Sequence, residues 1–136
     1  MSTPEGRVLK ACMDYLKANG IFHFRCNVQG VPIAGQPGRF RPAPSRGIAD
    51  IIGIAPRRRP TVADIPSGPD VTFCYEREES TMCCPLAVEV KSAKGRQSPA
   101  QVAFSDAWTK AGGVYIVVRS VPELRAKLRE AGIEAP

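Results

Sequence analysis

Leu86-Ala87-Val88-Glu89-Val90-Lys91 alternates strictly between two faces. Leu86, Val88 and Val90 point one way, and Ala87, Glu89 and Lys91 the other, the period of two that a half-buried strand imposes. Downstream, Ser92 to Gln97 reads as a polar turn, and a helix opens at Ser98-Pro99 and ends near Gly112-Gly113. An apolar strand follows over 114–118 (VYIVV), then a last helix from Ser120-Val121-Pro122-Glu123 to Gly132. Upstream, 48–54 (IADIIGI) is a short apolar strand interrupted by Asp50. Before it, 29–46 is rich in glycine, proline and arginine and reads as a basic loop. Residues 21–28 form a strand with Phe22, Phe24, Cys26 and Val28 on one side and His23, Arg25 and Asn27 on the other. The first helix opens at Ser2-Thr3-Pro4-Glu5 and stops at Asn19-Gly20, with Val8, Leu9, Cys12, Tyr15 and Leu16 as its buried stripe. The order of helix, strands, helix, strand, helix predicts a mixed α/β layer fold without internal repeats.

The 136 residues fill one domain, 1–136, and leave no room for a second core. With 43 % apolar and 24 % charged residues the chain has the balance of a globular domain. No apolar run reaches the ~18–20 residues of a membrane span. MSTPEGRVLK lacks the pattern of a secretory signal, so the expected compartment is the cytoplasm, with no membrane partner. Five unevenly spaced cysteines read as free thiols. A zinc site would need the fold to gather Cys74, Cys83, Cys84 and His23.

The net charge of +6 is unevenly spread. Residues 1–60 hold ten Lys/Arg against three acids, a net +7, and the remainder hold nine against ten, a net −1. Arg39, Arg41, Arg46 and the run Arg57-Arg58-Arg59 therefore suggest a polyanionic partner, nucleic acid first, with solvated surface charge as the alternative.

Asp50 and Glu89 are the informative acids, because their neighbours read as buried. A carboxylate loses several kcal/mol on burial unless it is paired or binds metal. Two on adjacent strands suit a divalent ion, and Lys91, on the same face as Glu89, would place an ammonium beside it. The alternative is a pair of exposed strand ends, with Glu89–Lys91 a surface ion pair. Glu5 and Gln101 are ambiguous in another way. Ser2-x-x-Glu5 and Ser98-x-x-Gln101 both fit capping boxes, yet both residues also lie on the packed stripes of their helices. Local spacing leaves the two readings open.

Gly-Ile-Ala-Asp-Ile-Ile-Gly-Ile (47–54), Leu-Ala-Val-Glu-Val-Lys-Ser-Ala-Lys-Gly-Arg-Gln-Ser-Pro-Ala-Gln (86–101) and Val-Val-Arg-Ser (117–120) resemble, in that order, the VRR-NUC domain, a branch of the PD-(D/E)xK nucleases. The resemblance runs from Glu5 to Ser120 and is best to short stand-alone members from phages and bacteria. It implies a restriction-endonuclease-like mixed sheet flanked by helices, and a structure-specific DNA endonuclease that uses Mg²⁺ or Mn²⁺. Asp50, Glu89 and the Val90 carbonyl match the metal ligands, and Lys91 the catalytic lysine. Glu5 matches the first-helix acid and Gln101 the helix glutamine. Stand-alone members look like homodimers similar to Holliday-junction resolvases, acting on branched or duplex DNA. A flap- or nick-directed nuclease, or a DNA-binding module without cleavage, is the alternative. Two departures stand out: Ala49 where the family often has proline, and thirty-eight residues between Asp50 and Glu89, an insertion at about 55–85.

Overall fold

The computed structural model describes residues 3–26, 31–41, 46–57 and 82–133. Helix α1 spans Pro4–Ala18, and its cap is Thr3, whose hydroxyl accepts the Gly6 N–H at 3.1 Å. Pro4 takes the first helical position, where a missing N–H is harmless. The expected capping box of Ser2 with Glu5 is thereby corrected. Starting the helix one residue later puts Gly6, not Glu5, at the third position, and Ser2 lies outside the described residues.

Strand β1 (Phe22–Arg25) is shorter than the expected 21–28, whose Asn27 and Val28 lie outside the described residues. The expected basic loop contains a small antiparallel pair, β2 (Val31–Pro32) and β3 (Phe40–Arg41). Strand β4 runs over Ile51–Arg57, so Asp50 stands just before the strand instead of interrupting it. Strand β5 (Met82–Val90) begins four residues earlier than the alternation from Leu86 had indicated. Prolines 56 and 85 are tolerated because each lies where its own strand has no outer neighbour, Pro56 beyond the β1 pairs and Pro85 before the β6 pairs. Of the residues expected to form an insertion, 55–57 and 82–85 belong to the β4–β5 ladder, and the strand expected at Val71–Tyr75 lies outside the described residues. Helix α2 (Pro99–Lys110), strand β6 (Val114–Val118) and helix α3 (Val121–Glu130) complete the chain as the caps and glycines suggested.

The fold is mixed α/β. Its four-stranded sheet has the order β1-β4-β5-β6, antiparallel between the first three strands and parallel between β5 and β6. That arrangement is consistent with the restriction-endonuclease-like layout. One sheet face supplies Ile51, Ala55, Leu86, Val88, Val90, Ile116 and Val118 to a core closed by Leu9, Cys12 and Leu16 of α1 and Leu124 and Leu128 of α3. The opposite face carries α2, packed over β6. There Phe104 stacks on Trp108 with centroids 5.5 Å apart and meets Tyr115 edge-on at 6.1 Å. The Trp108 indole N–H donates to the Val114 carbonyl at 3.1 Å, so the rings tie helix to strand. Among the described residues no element packs over the β1–β4 half of this face, and Phe22, Phe24 and Ile54 are exposed. Among the described residues no helix is long and apolar enough to cross a membrane.

Candidate functional site

The site forms where β4 begins and β5 ends. The ladder pairs Ile51 with Val88, so one step outward Asp50 comes opposite Glu89. Asp50 is fastened from both sides. Its carbonyl accepts the Cys26 N–H at 2.8 Å, and its Oδ2 accepts the Val90 N–H at 2.8 Å. Glu89 is 1 % exposed, the single buried charged residue of the described core. Its Oε1 accepts from Lys91 Nζ at 2.8 Å and from Gln101 Nε2 at 2.5 Å. The Tyr115 hydroxyl lies 3.5 Å from its Oε2 and itself accepts from Gln97 Nε2 at 3.3 Å. Asp50 and Glu89 are thus neither surface ends nor a solvated pair.

Burial raises the carboxyls of both Asp50 and Glu89 above their ordinary values. For Asp50 the Val90 N–H and the Lys91 charge oppose the rise, the Glu5 charge adds to it, and Arg25 opposes it. For Glu89 the Lys91 hydrogen bond opposes it, while the negative charges of Asp50 and Glu5 add to it. The Tyr115 phenol is pushed up to about 12, by burial first and the Glu89 charge second, and so remains a neutral donor. Glu5, Asp50 and Glu89 therefore share one electrostatic neighbourhood with Lys91. Glu5 is half-buried and free of the capping box that competed for it.

Two backbone devices hold this arrangement. Gly47 adopts φ +80°, and a Cβ there would lie 2.3 Å from the Ala100 carbonyl carbon and oxygen. Only glycine lets the segment before Asp50 lie against the first turn of α2, which carries Gln101. Arg119, in the Val-Val-Arg-Ser segment, donates to the Gly95 carbonyl at 3.0 Å and its N–H to Glu123 Oε2 at 2.7 Å. It pins the turn that leads from Lys91 toward α2.

The sequence candidates divide by place. Glu89 is linked to Lys91 by an ion pair and to Gln101 by a hydrogen bond, Asp50 is bonded to the Val90 N–H beside Glu89, and Glu5 is near enough to act on both acids. Val90 is buried, and its N–H is what orients Asp50. Arg39, Arg41 and Arg46 are exposed. Arg57 is exposed too, but it closes β4 at about 24 Å from Asp50, at the opposite end of the sheet. Arg58 and Arg59 lie outside the described residues. Sequence reasoning missed Tyr115, which meets Glu89 through the β5–β6 register, and Gln97, which donates to the Tyr115 hydroxyl. It also missed the position of Arg25, beside Asp50.

Two carboxylates and neighbouring backbone oxygens are hard donors that suit Mg²⁺ or Mn²⁺. Three acids against Lys91 and Arg25 leave an excess of negative charge that a divalent ion would offset. Among the described residues no group of three or more His, Cys, Asp or Glu side chains is placed to hold an ion. An ion on Asp50 and Glu89 would therefore keep open positions for water and phosphate oxygen, as magnesium commonly does. The zinc grouping is not formed among these residues. Cys83 is exposed, Cys84 is buried, His23 bonds the Ile21 carbonyl through Nδ1 at 2.8 Å, and Cys74 lies outside them. In comparisons with known proteins, no family model, curated protein or solved structure matches the chain.

Proposed function

We propose that the chain is a metal-dependent endonuclease of the VRR-NUC kind that hydrolyses DNA phosphodiesters. The observation that carries this reading is a buried Glu89 whose Oε1 is shared by Lys91 and Gln101 while Asp50 stands opposite it. Structural ion pairs rarely gather a second and third acid around one lysine, since each added carboxylate repels the rest.

Asp50 and Glu89 would hold Mg²⁺ or Mn²⁺, with the Val90 carbonyl as the further ligand that the family resemblance implies. The ion supplies Lewis-acid polarisation of the phosphate and acidifies a water. The Val90 N–H fixes Oδ2 of Asp50 and leaves Oδ1 to turn outward. Gln101 and Lys91 aim Glu89, and the Lys91 ammonium offsets charge that builds on the phosphate oxygens. Glu5 adds negative potential from the first helix and favours the divalent ion. Exposed Arg46, Lys94 and Arg96 flank these residues in sequence and would track the DNA backbone, as would Arg39 and Arg41, without reading bases. Arg57, at the far end, would serve only a substrate that spans the sheet.

Purified protein incubated with labelled four-way junction, flap and linear duplex DNA, in Mg²⁺, Mn²⁺ or EDTA, tests the proposal against Glu89→Ala. Metal-dependent cutting lost in Glu89→Ala supports a nuclease. Paired symmetric nicks in the junction, made by a homodimer, would support the resolvase version. Tight binding without cutting in either metal would transfer the chain to the class of DNA-binding modules.

A further inference from the structure

We propose that the open half of the sheet, at Phe22 and Phe24, stacks unpaired nucleobases of the DNA strand whose backbone enters the Asp50–Glu89 site; this rests on the nuclease reading above. Phe22 and Phe24 are 67 % and 51 % exposed on the edge strand of the main sheet. Such rings on a sheet surface mark a contact. The register places them on the same face as the acids. Phe24 pairs with Ile52, which pairs with Ala87, and the next row on that face runs from Cys26 through Asp50 to Glu89. Phe24 is thus one strand away from Asp50 and two residues along it, about 8 Å by strand geometry, which is on the scale of one nucleotide step.

The chemistry favours bases over an apolar protein partner. The exposed residues of β1 are two flat rings and the terminal Arg25, and strand surfaces that bind single-stranded nucleic acid use such rings as stacking platforms. Arg25 ends the same strand and, although it leaves the opposite face, is close enough to act on Asp50. Among the described residues α2 packs over β6 and no element covers this half, so a strand can lie across it toward the acids.

Binding measured by fluorescence anisotropy in EDTA, where no metal chemistry runs, tests the proposal. The probes are labelled oligothymidylate, an abasic strand of the same length, and blunt duplex. The wild-type chain should bind oligothymidylate about tenfold or more tighter than the abasic strand. The double variant Phe22→Leu/Phe24→Leu, which keeps apolar bulk and fold, should erase that difference and leave the other two affinities unchanged. Phe24→Trp should retain it. Equal affinity of wild type for base-bearing and abasic strands would overturn the proposal. So would a double leucine variant that still prefers bases. A wild-type dimer that Phe22→Ser/Phe24→Ser converts to monomer, with base preference intact, would overturn it by assigning the face to a second copy. Cleavage is read separately, so a lost base preference in a chain that still cuts sinks only this inference, and a chain that never cuts sinks the nuclease reading.

Discussion

Gln101 and Glu89 are joined by an amide committed at both ends. Its Nε2 donates to Glu89 Oε1 at 2.5 Å, and its Oε1 accepts the Ser98 N–H at 2.8 Å while Ser98 Oγ caps Gln101 at 3.2 Å. The capping box therefore does not compete with a place at the site; it sets the orientation in which the amide N–H₂ reaches the carboxylate. One substitution separates the two tasks. Gln101→Glu keeps an acceptor for Ser98 but sets a carboxylate against Glu89. Melting should fall at neutral pH, because the paired carboxylates repel, and cleavage measured below the transition should fall about ten- to a hundredfold, equivalent to about 1.4–2.7 kcal/mol. Unchanged cleavage would leave Gln101 as a cap alone.

Gly47 makes a second expectation specific. Gly20 and Gly47 both have positive φ, +67° and +80°, but a Cβ at Gly20 meets nothing within 4 Å whereas at Gly47 it meets the Ala100 carbonyl at 2.3 Å. Gly20→Ala should lose only the backbone preference, about 1–2 kcal/mol. Gly47→Ala should lose more and should move Asp50 away from Glu89. Thermal melts of the pair, with cleavage measured below both transitions, check this. Equal destabilisation would mean that the close approach to α2 is not maintained.

The raised carboxyls carry a sign that can be tested. Asp50 and Glu89 titrate above their ordinary values of 3.8 and 4.5, so the folded chain holds these protons more tightly than the unfolded one. Without metal, their contribution to stability is full below those ordinary values and is lost as pH rises through the raised ones. Melts in EDTA should therefore fall more steeply with pH for the wild type than for Asp50→Asn/Glu89→Gln. Mg²⁺ or Mn²⁺ should recover wild-type stability at neutral pH and leave the double variant unmoved. Parallel pH curves with no metal effect would contradict both the shared charge and the ion.

Local pattern revealed much of the frame. The alternation around Glu89 marked β5, and hydroxyl-proline starts marked α2 and α3. Asp50, Glu89 and Lys91 were legible because charged residues interrupt apolar runs only for a reason. What escaped depends on register or on single hydrogen bonds. The β2–β3 pair has two residues per strand, too few to show a period. Tyr115 reaches Glu89 because β6 runs parallel to β5, a pairing that no local window contains. Ser2 and Thr3 are equally good caps in sequence, and the choice of Thr3 changed the meaning of Glu5. Phe22 and Phe24 alternated like core residues, yet their side of the sheet lies beyond the reach of α2.

Lys91→Ala, assayed for binding and for cleavage of the same branched DNA in Mn²⁺, is the most direct test of the proposed chemistry. The ammonium contacts Glu89 at 2.8 Å, and its side chain is largely buried, so its removal leaves surface charge for DNA binding almost intact. The expected result is unchanged affinity, within about twofold, with cleavage reduced by at least about a thousandfold, the scale of losing a principal electrostatic group. A Lys91→Ala chain that cuts as fast as the wild type would contradict a catalytic site at Asp50, Glu89 and Lys91.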